Sequence, residues 1–142
     1  MKRLCSRGER CRSDILRKVI AYGITDPESV VEKLVREGYI DDERYARAFA
    51  RDKSSLQGWG KVKIRVDLQR KRIDESAITA ALNEIDPIAA DTKLQKLALS
   101  KLRQLQNESD PNLRKAKFIR YLMGRGYTYD EIVVIYDNNR TD

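Results

Sequence analysis

Apolar residues recur along the chain at intervals of three and four, the spacing of a single helix face. No alternation of Val, Ile and Thr at every second position lasts long enough to suggest a strand. The helical pattern also repeats. Ile15, Val19 and Ile24 return as Ile64, Leu68 and Ile73 after 49 residues, then as Phe118, Leu122 and Tyr127 after a further 54. With one extra residue in the first copy, Val30 and Leu34 correspond to Ile78 and Leu82, then to Ile132 and Tyr136.

The punctuation repeats with the pattern. A first helix is expected to end just before Ile24, Ile73 and Tyr127. A second opens on a polar cap: Asp26 with Pro27, Asp74 with Glu75, and Thr128 with Glu131. Thr128-x-x-Glu131 is a capping box, and Tyr127 and Ile132 stand at staple spacing around it. The first copy runs on through Gly38-Tyr39-Ile40 to a third helix capped by Asp41. The second runs through Asp86-Pro87-Ile88 into a helix over Asp91–Gln106, with Leu94, Leu97, Leu102 and Leu105 on one face. The third copy stops after its second helix.

This pattern predicts an all-α protein of about eight helices, built as tandem three-helix repeats over residues 9–57, 58–108 and 109–142, the last one shortened. A unit of some 50 residues buries little surface alone, so stacking into an elongated, curved array is expected. Gln57-Gly58-Trp59-Gly60 and Asn107-Glu108-Ser109-Asp110-Pro111 read as the junctions.

Composition then narrows the function. Charged residues make up 36% of the 142, well above the globular norm, and the net charge is +7. Such a balance suits a polyanionic partner, although ribosomal and membrane-surface proteins share it. Histidine is absent, which removes the commonest general base and metal ligand. Cys5 and Cys11 fit neither C-x-x-C redox chemistry nor a zinc knuckle and read as reduced thiols. No apolar run reaches membrane-spanning length, and the basic N-terminus leads into no signal-like apolar segment. A cytoplasmic protein with no cofactor, metal or small-molecule substrate is the expectation.

The charge is banded. Segments 1–18, 61–72 and 114–125 each carry a net +5, whereas 26–37, 74–86 and 130–137 carry −2, −4 and −3. Basic first helices thus alternate with acidic second helices. Part of this is self-complementarity and the preference of acids for helix N-termini. On a continuous helix Lys61, Arg65 and Arg72 would fall within about 40° of one another, with Lys63 and Arg70 opposite. That density exceeds what Asp67 can neutralise. The candidate binding residues are Lys61, Lys63, Arg65, Arg70, Lys71 and Arg72, followed by Arg114, Lys115, Lys117, Arg120 and Arg125.

Asp41-Asp42-Glu43 has the look of a metal-binding acidic cluster. Its position instead suits an N-cap and an acidic first turn, and consecutive helical side chains diverge by about 100°. Trp59, between two glycines, fits either a base-stacking platform or an aromatic plug between repeats. Tyr39, Tyr45, Phe49 and Tyr127 fall at core positions.

Gly38-Tyr39-Ile40-Asp41-Asp42-Glu43-Arg44-Tyr45-Ala46-Arg47-Ala48-Phe49 resembles the signature of the RecX family, G-Y-[IL]-D-D-x-R-[YF]. The resemblance continues through Gly58-Trp59-Gly60-Lys61-Val62-Lys63-Ile64-Arg65-Val66-Asp67-Leu68. It resumes over Lys115-Ala116-Lys117-Phe118-Ile119-Arg120-Tyr121-Leu122-Met123-Gly124-Arg125-Gly126-Tyr127, in order and at the right spacing. It implies a small bacterial regulator of three tandem three-helix repeats with no catalytic residue. Such a protein binds the RecA filament, with single-stranded DNA within reach, and inhibits its growth, strand exchange, ATP hydrolysis and coprotease stimulation. One departure is local: Gly23 and Gly126 precede the residue that leads into the second helix, but the second copy has Arg72 there. If that turn is left-handed, a side chain there costs on the order of 1 kcal/mol. A helix-turn-helix DNA-binding regulator is the alternative function. Against it, the basic residues lie on first helices and lack the Asn, Gln, Ser and Thr that read base edges.

Overall fold

The computed structural model describes residues 8–139; Cys5 and the first seven residues of the basic segment 1–18 lie outside the described residues. Among the described residues there are eight α-helices and no strand. In chain order they are α1 (Arg12–Ala21), α2 (Pro27–Arg36), α3 (Asp42–Ser55), α4 (Lys61–Arg70), α5 (Glu75–Asn83), α6 (Pro87–Gln104), α7 (Pro111–Gly124) and α8 (Tyr129–Asn139).

The caps explain where the helices begin. Asp41 Oδ1 accepts the backbone N–H of Arg44 at 3.1 Å, which makes Asp41 the N-cap of α3. Thr128 and Glu131 form the reciprocal box, with the Glu131 N–H donating to Thr128 Oγ1 and the Thr128 N–H to Glu131 Oε2. Asp110 accepts from Asn112 and Leu113 at the start of α7. One boundary differs from the sequence reading. Helix α6 starts at Pro87 rather than Asp91, because Asp86 caps it by accepting the Ile88 N–H and Pro87 occupies the first turn without needing its missing donor.

The ends repeat more closely than the starts. Helices α1, α4 and α7 close with the same pair of backbone bonds: Gly23 to Ile20 with Ile24 to Val19, Arg72 to Gln69 with Ile73 to Leu68, and Gly126 to Met123 with Tyr127 to Leu122. This paired closure needs a left-handed residue at the turn. The three residues have φ of 72°, 58° and 99°. Arg72 therefore holds the conformation that glycine holds in the other two copies.

Contacts divide the chain into two compact units, each assembled from separate stretches. Unit 1 comprises residues 1–50 and 67–84; unit 2 comprises 51–66 and 85–142. In unit 1, α1 packs on α2 around Ile15, Val19, Val31, Leu34 and Ile40. In unit 2, α6, α7 and α8 pack on one another around Leu94, Ala98, Phe118, Leu122, Ile132 and Tyr136. Phe118 and Tyr136 stand at the repeat positions of Ile15 and Leu34, and their rings lie 5.2 Å apart. The third copy thus fills with an aromatic pair the space that two aliphatics fill in the first. Each such side chain contributes roughly 1.5–3 kcal/mol through burial.

Candidate functional site

The eleven basic side chains singled out by sequence divide by what they touch. On α4, Lys61 is exposed and makes no hydrogen bond, ion pair or ring contact among the described residues. Lys63 lies half-buried with its ammonium 4.2 Å from the centre of the Trp59 ring; Lys53 stands over the same ring at 4.8 Å. Arg65 is half-buried and engaged. Arg70 is exposed and 3.7 Å from Asp67 one turn back, a surface pair of small energetic weight. Lys71 is drawn into unit 1, where its Nζ donates to Asp14 Oδ2 at 2.7 Å. Burial alone would raise the Asp14 carboxyl, but hydrogen bonds from Lys71 and Arg17 outweigh it and hold the group below its ordinary range.

The wheel that joined Lys61, Arg65 and Arg72 does not exist in the folded chain. Helix α4 ends at Arg70, and the left-handed turn at Arg72 carries that side chain off the helical face. Arg72 is nonetheless exposed, and its side chain has no partner among the described residues.

On α7 the same sorting applies. Arg114 donates from Nε and Nη2 to the Glu108 carbonyl at 3.2 and 2.6 Å, and Lys117 donates to the Glu108 carboxylate at 2.8 Å. The Lys117 bond holds the Glu108 carboxyl below its usual range. The Lys115 ammonium lies 5.7 Å from the centre of the Tyr136 ring. Arg125 follows the helix as its C-cap and donates to the Gln57 carbonyl. Arg120 is exposed and without a partner among the described residues. The cations with no internal partner among the described residues are thus Lys61, Arg72 and Arg120; Lys63 and Lys115 are held only by rings.

Two features escaped the sequence reading. Arg103, in the last turn of α6, shares a groove with Arg114 and Lys115; in sequence it stands among the leucines that mark the apolar face of that helix. Asp42 accepts the backbone N–H of Arg12 at 2.7 Å and so caps α1 from thirty residues away. Burial pushes the Asp42 carboxyl above its usual range, against that bond. Asp41 and Asp42 each have a capping role, and among the described residues no group of His, Cys, Asp and Glu is placed to hold a metal.

The segment Gln57–Gly60 is fastened within unit 2. The Gly60 N–H donates to the Arg125 carbonyl at 2.7 Å, and the Val62 N–H donates to the Gly126 carbonyl at 3.1 Å. The first amides of α4 thereby satisfy the last carbonyls beyond α7. The Tyr127 hydroxyl donates to the Gly58 carbonyl at 2.9 Å, and burial raises that hydroxyl to about 12. There is no room for side chains: a Cβ on Gly60 would stand 2.3 Å from the Gly126 carbonyl oxygen, and one on Gly126 would stand 2.4 Å from Lys63 Cβ.

Comparison with known proteins places this geometry. Residues 41–82 match the family model for the second three-helix domain of RecX, and residues 90–133 match that for the third. The regulatory protein RecX of Mycolicibacterium smegmatis is 31% identical, with alignment over 97% of this chain and 78% of that protein. The chain belongs to the RecX family. The RecX of Pectobacterium atrosepticum is 34% identical over 80% of this chain and 67% of its own. A crystal structure of a regulatory protein RecX superposes with a TM-score of 0.83 at 29% identity, covering 94% of this chain and 66% of that one. RecX from Lactobacillus salivarius gives 0.79 at 23% identity over 96% and 89%, a likeness of fold. The RecX family domains group α3–α5 and α6–α8, starting one helix earlier than the repeat units read from the sequence; α4–α5 and α7–α8 stay together in both groupings. These RecX relatives carry the name of regulatory proteins, and no helix among the described residues is long and apolar enough to cross a membrane.

Proposed function

We propose that this chain is a non-catalytic regulator of bacterial recombination, DNA repair and the SOS response. It binds the filament that RecA forms on single-stranded DNA and restrains its ATPase, strand-exchange and coprotease activities. Its repeats at residues 9–57, 58–108 and 109–142 carry the contact surface, and it works in the cytoplasm without cofactor or small-molecule substrate. Family membership supports the reading. The observation that carries it to a surface is that Lys61, Arg72 and Arg120 stay exposed and unpaired among the described residues while their basic neighbours are engaged internally. A cation that folding does not use is available to an anionic partner at little reorganisation cost.

Lys61 and Arg120 therefore lead the inhibitory contact within unit 2, with Lys63, Arg65, Arg114, Lys115, Lys117 and Arg125 of the same unit contributing to it, and Arg70, Lys71 and Arg72 contribute from unit 1. The test is a RecA ATPase assay on single-stranded DNA with the protein titrated in. Lys61→Glu combined with Arg120→Glu is expected to weaken inhibition at least tenfold, about 1.4 kcal/mol. Lys33→Glu combined with Arg36→Glu, on α2 within the acidic segment 26–37, is expected to change it little once thermal melting shows both variants folded. Equal losses from the two pairs would mean that net charge matters and this face does not. Sequence-specific duplex binding without RecA would favour the helix-turn-helix alternative.

A further inference from the structure

The three helices of the last domain leave an open groove of about 780 Å³ between them, within unit 2. Its cations are Arg103 from α6 with Arg114 and Lys115 from α7; its apolar wall is Leu99, Leu102, Pro111 and Tyr136. Gln106, Asn112 and Asn139 add amides, and no carboxylate among the described residues lines it. Within a chain that is 36% charged and rich in acids near its basic helices, a groove lined by three cations and no acid among the described residues is not explained by self-pairing.

The cations are held ready rather than loose. Two donors of Arg114 are fixed on the Glu108 carbonyl, and the Lys115 ammonium rests over the Tyr136 ring. Arg103 leans its Nε on the Leu99 carbonyl at 3.4 Å. Side chains already ordered lose less entropy when a ligand arrives. Leu99 is 44% exposed beside them, an apolar surface in contact with water at the wall of a cationic groove.

We propose that this groove binds single-stranded DNA directly, with phosphates on Arg103, Arg114 and Lys115 and a base laid against Leu99 and Leu102. An acidic peptide would use the cations but has no need of the apolar wall or of amides that can pair with base edges. Single strands are held by the combination of a basic track with apolar or aromatic platforms. The site shares Arg114 and Lys115 with the surface proposed above and rests on that reading only for its place in a filament; the binding itself requires no second protein.

The test uses the full chain without RecA. A fluorescein-labelled oligothymidylate of about fifteen nucleotides is titrated and read by anisotropy, from about 0.05 M salt upward. Saturable binding is expected, with a slope of log affinity against log salt of roughly −2 for three neutralised phosphates. Arg103→Glu with Lys115→Glu is expected to weaken it at least about tenfold, and Lys33→Glu with Arg36→Glu less than about twofold. An abasic strand of equal length is expected to bind several-fold more weakly, through loss of the contact with Leu99. The charge-neutral pair Arg103→Gln with Lys115→Gln, expected to lose most of the same affinity, carries the test should the glutamate pair fail to fold. The inference is overturned by absence of saturable binding, by a groove variant that binds like the control, or by an abasic strand that binds as well as the intact one. Polyglutamate displacing the probe as effectively as unlabelled DNA would also overturn it, and would point to an acidic protein partner. Absence of DNA binding by the unmodified chain while it still inhibits RecA would remove this site and leave the filament reading standing; DNA binding lost with the groove pair but without RecA inhibition by the unmodified chain would do the opposite.

Discussion

The two compact units are fastened by different chemistry although their helices follow one pattern. Unit 1 is tied by charge: Asp42 caps α1 across thirty residues, Arg12 pairs with Glu28 and Glu32, Arg44 with Glu9, and Lys71 with Asp14. Unit 2 is tied by backbone, through Gly60 and Val62 on the carbonyls of Arg125 and Gly126, with Tyr127 clasping Gly58. The same turn shows the difference. A Cβ on Gly23 would meet nothing within 4 Å, while one on Gly126 would strike Lys63 and Gly60. Glycine in the first copy answers only to its own dihedral angle; in the third it answers to a neighbouring strand of chain as well. One repeated motif can therefore carry one glycine for two physical reasons.

Substitution separates those reasons. Gly126→Ala combines left-handed strain with a clash and is expected to cost about 3 kcal/mol or more, seen as loss of the cooperative melting of unit 2. Gly23→Ala meets only the strain and is expected to cost on the order of 1 kcal/mol. Similar urea midpoints for the two would break the comparison. Arg72→Gly sharpens it from the other side, since the turn is the same and its dihedral is already left-handed. It is expected to stabilise the protein by about 1 kcal/mol, a rise of roughly 2–4 °C in Tm.

The smallest effect concerns pH. Asp42 has a raised carboxyl, so its contribution to stability is present below the ordinary carboxylate range and is lost as pH rises through its folded value. Asp14 is lowered, so its contribution is present above that range and is lost as pH falls. Asp42→Asn keeps an acceptor for the Arg12 N–H and removes the buried charge. It is expected to be neutral or slightly stabilising at pH 7, by under about 1 kcal/mol, and to lose that advantage near pH 4. Urea midpoints at the two pH values measure it; a clear loss at pH 7 would show that the carboxylate's charge on the α1 N-terminus outweighs its burial.

What could be read from the chain was what depends on neighbours in sequence. The apolar triplet ending at Ile24, Ile73 and Tyr127, the Thr128–Glu131 box, the Asp41 cap and the left-handed turn at Arg72 all lie within a few residues of their partners. What could not be read depends on distant approach. Gly60 has no unusual dihedral to betray it; only the carbonyl of Gly126 forbids a side chain there. The basic bands were visible, but not that Lys71 and Lys117 are spent on Asp14 and Glu108, nor that the end of α4 at Arg70 breaks the wheel. The resemblance to RecX relatives identified the kind of protein without saying which cations remain available.

The discontinuity of the two units sets an order of events on the ribosome. Every residue of unit 1 has been polymerised once Glu84 is added, whereas residues 51–66, including Gly60, belong to a unit whose remaining stretch starts at Ile85. The amides of Gly60 and Val62 wait for carbonyls more than sixty residues downstream, which at bacterial rates of about 5–20 residues per second is several seconds. During that interval Gly60 and the start of α4 lack the chain they are to fasten. The middle of the nascent protein therefore waits without its partners after every residue of one unit is made and before the other is complete.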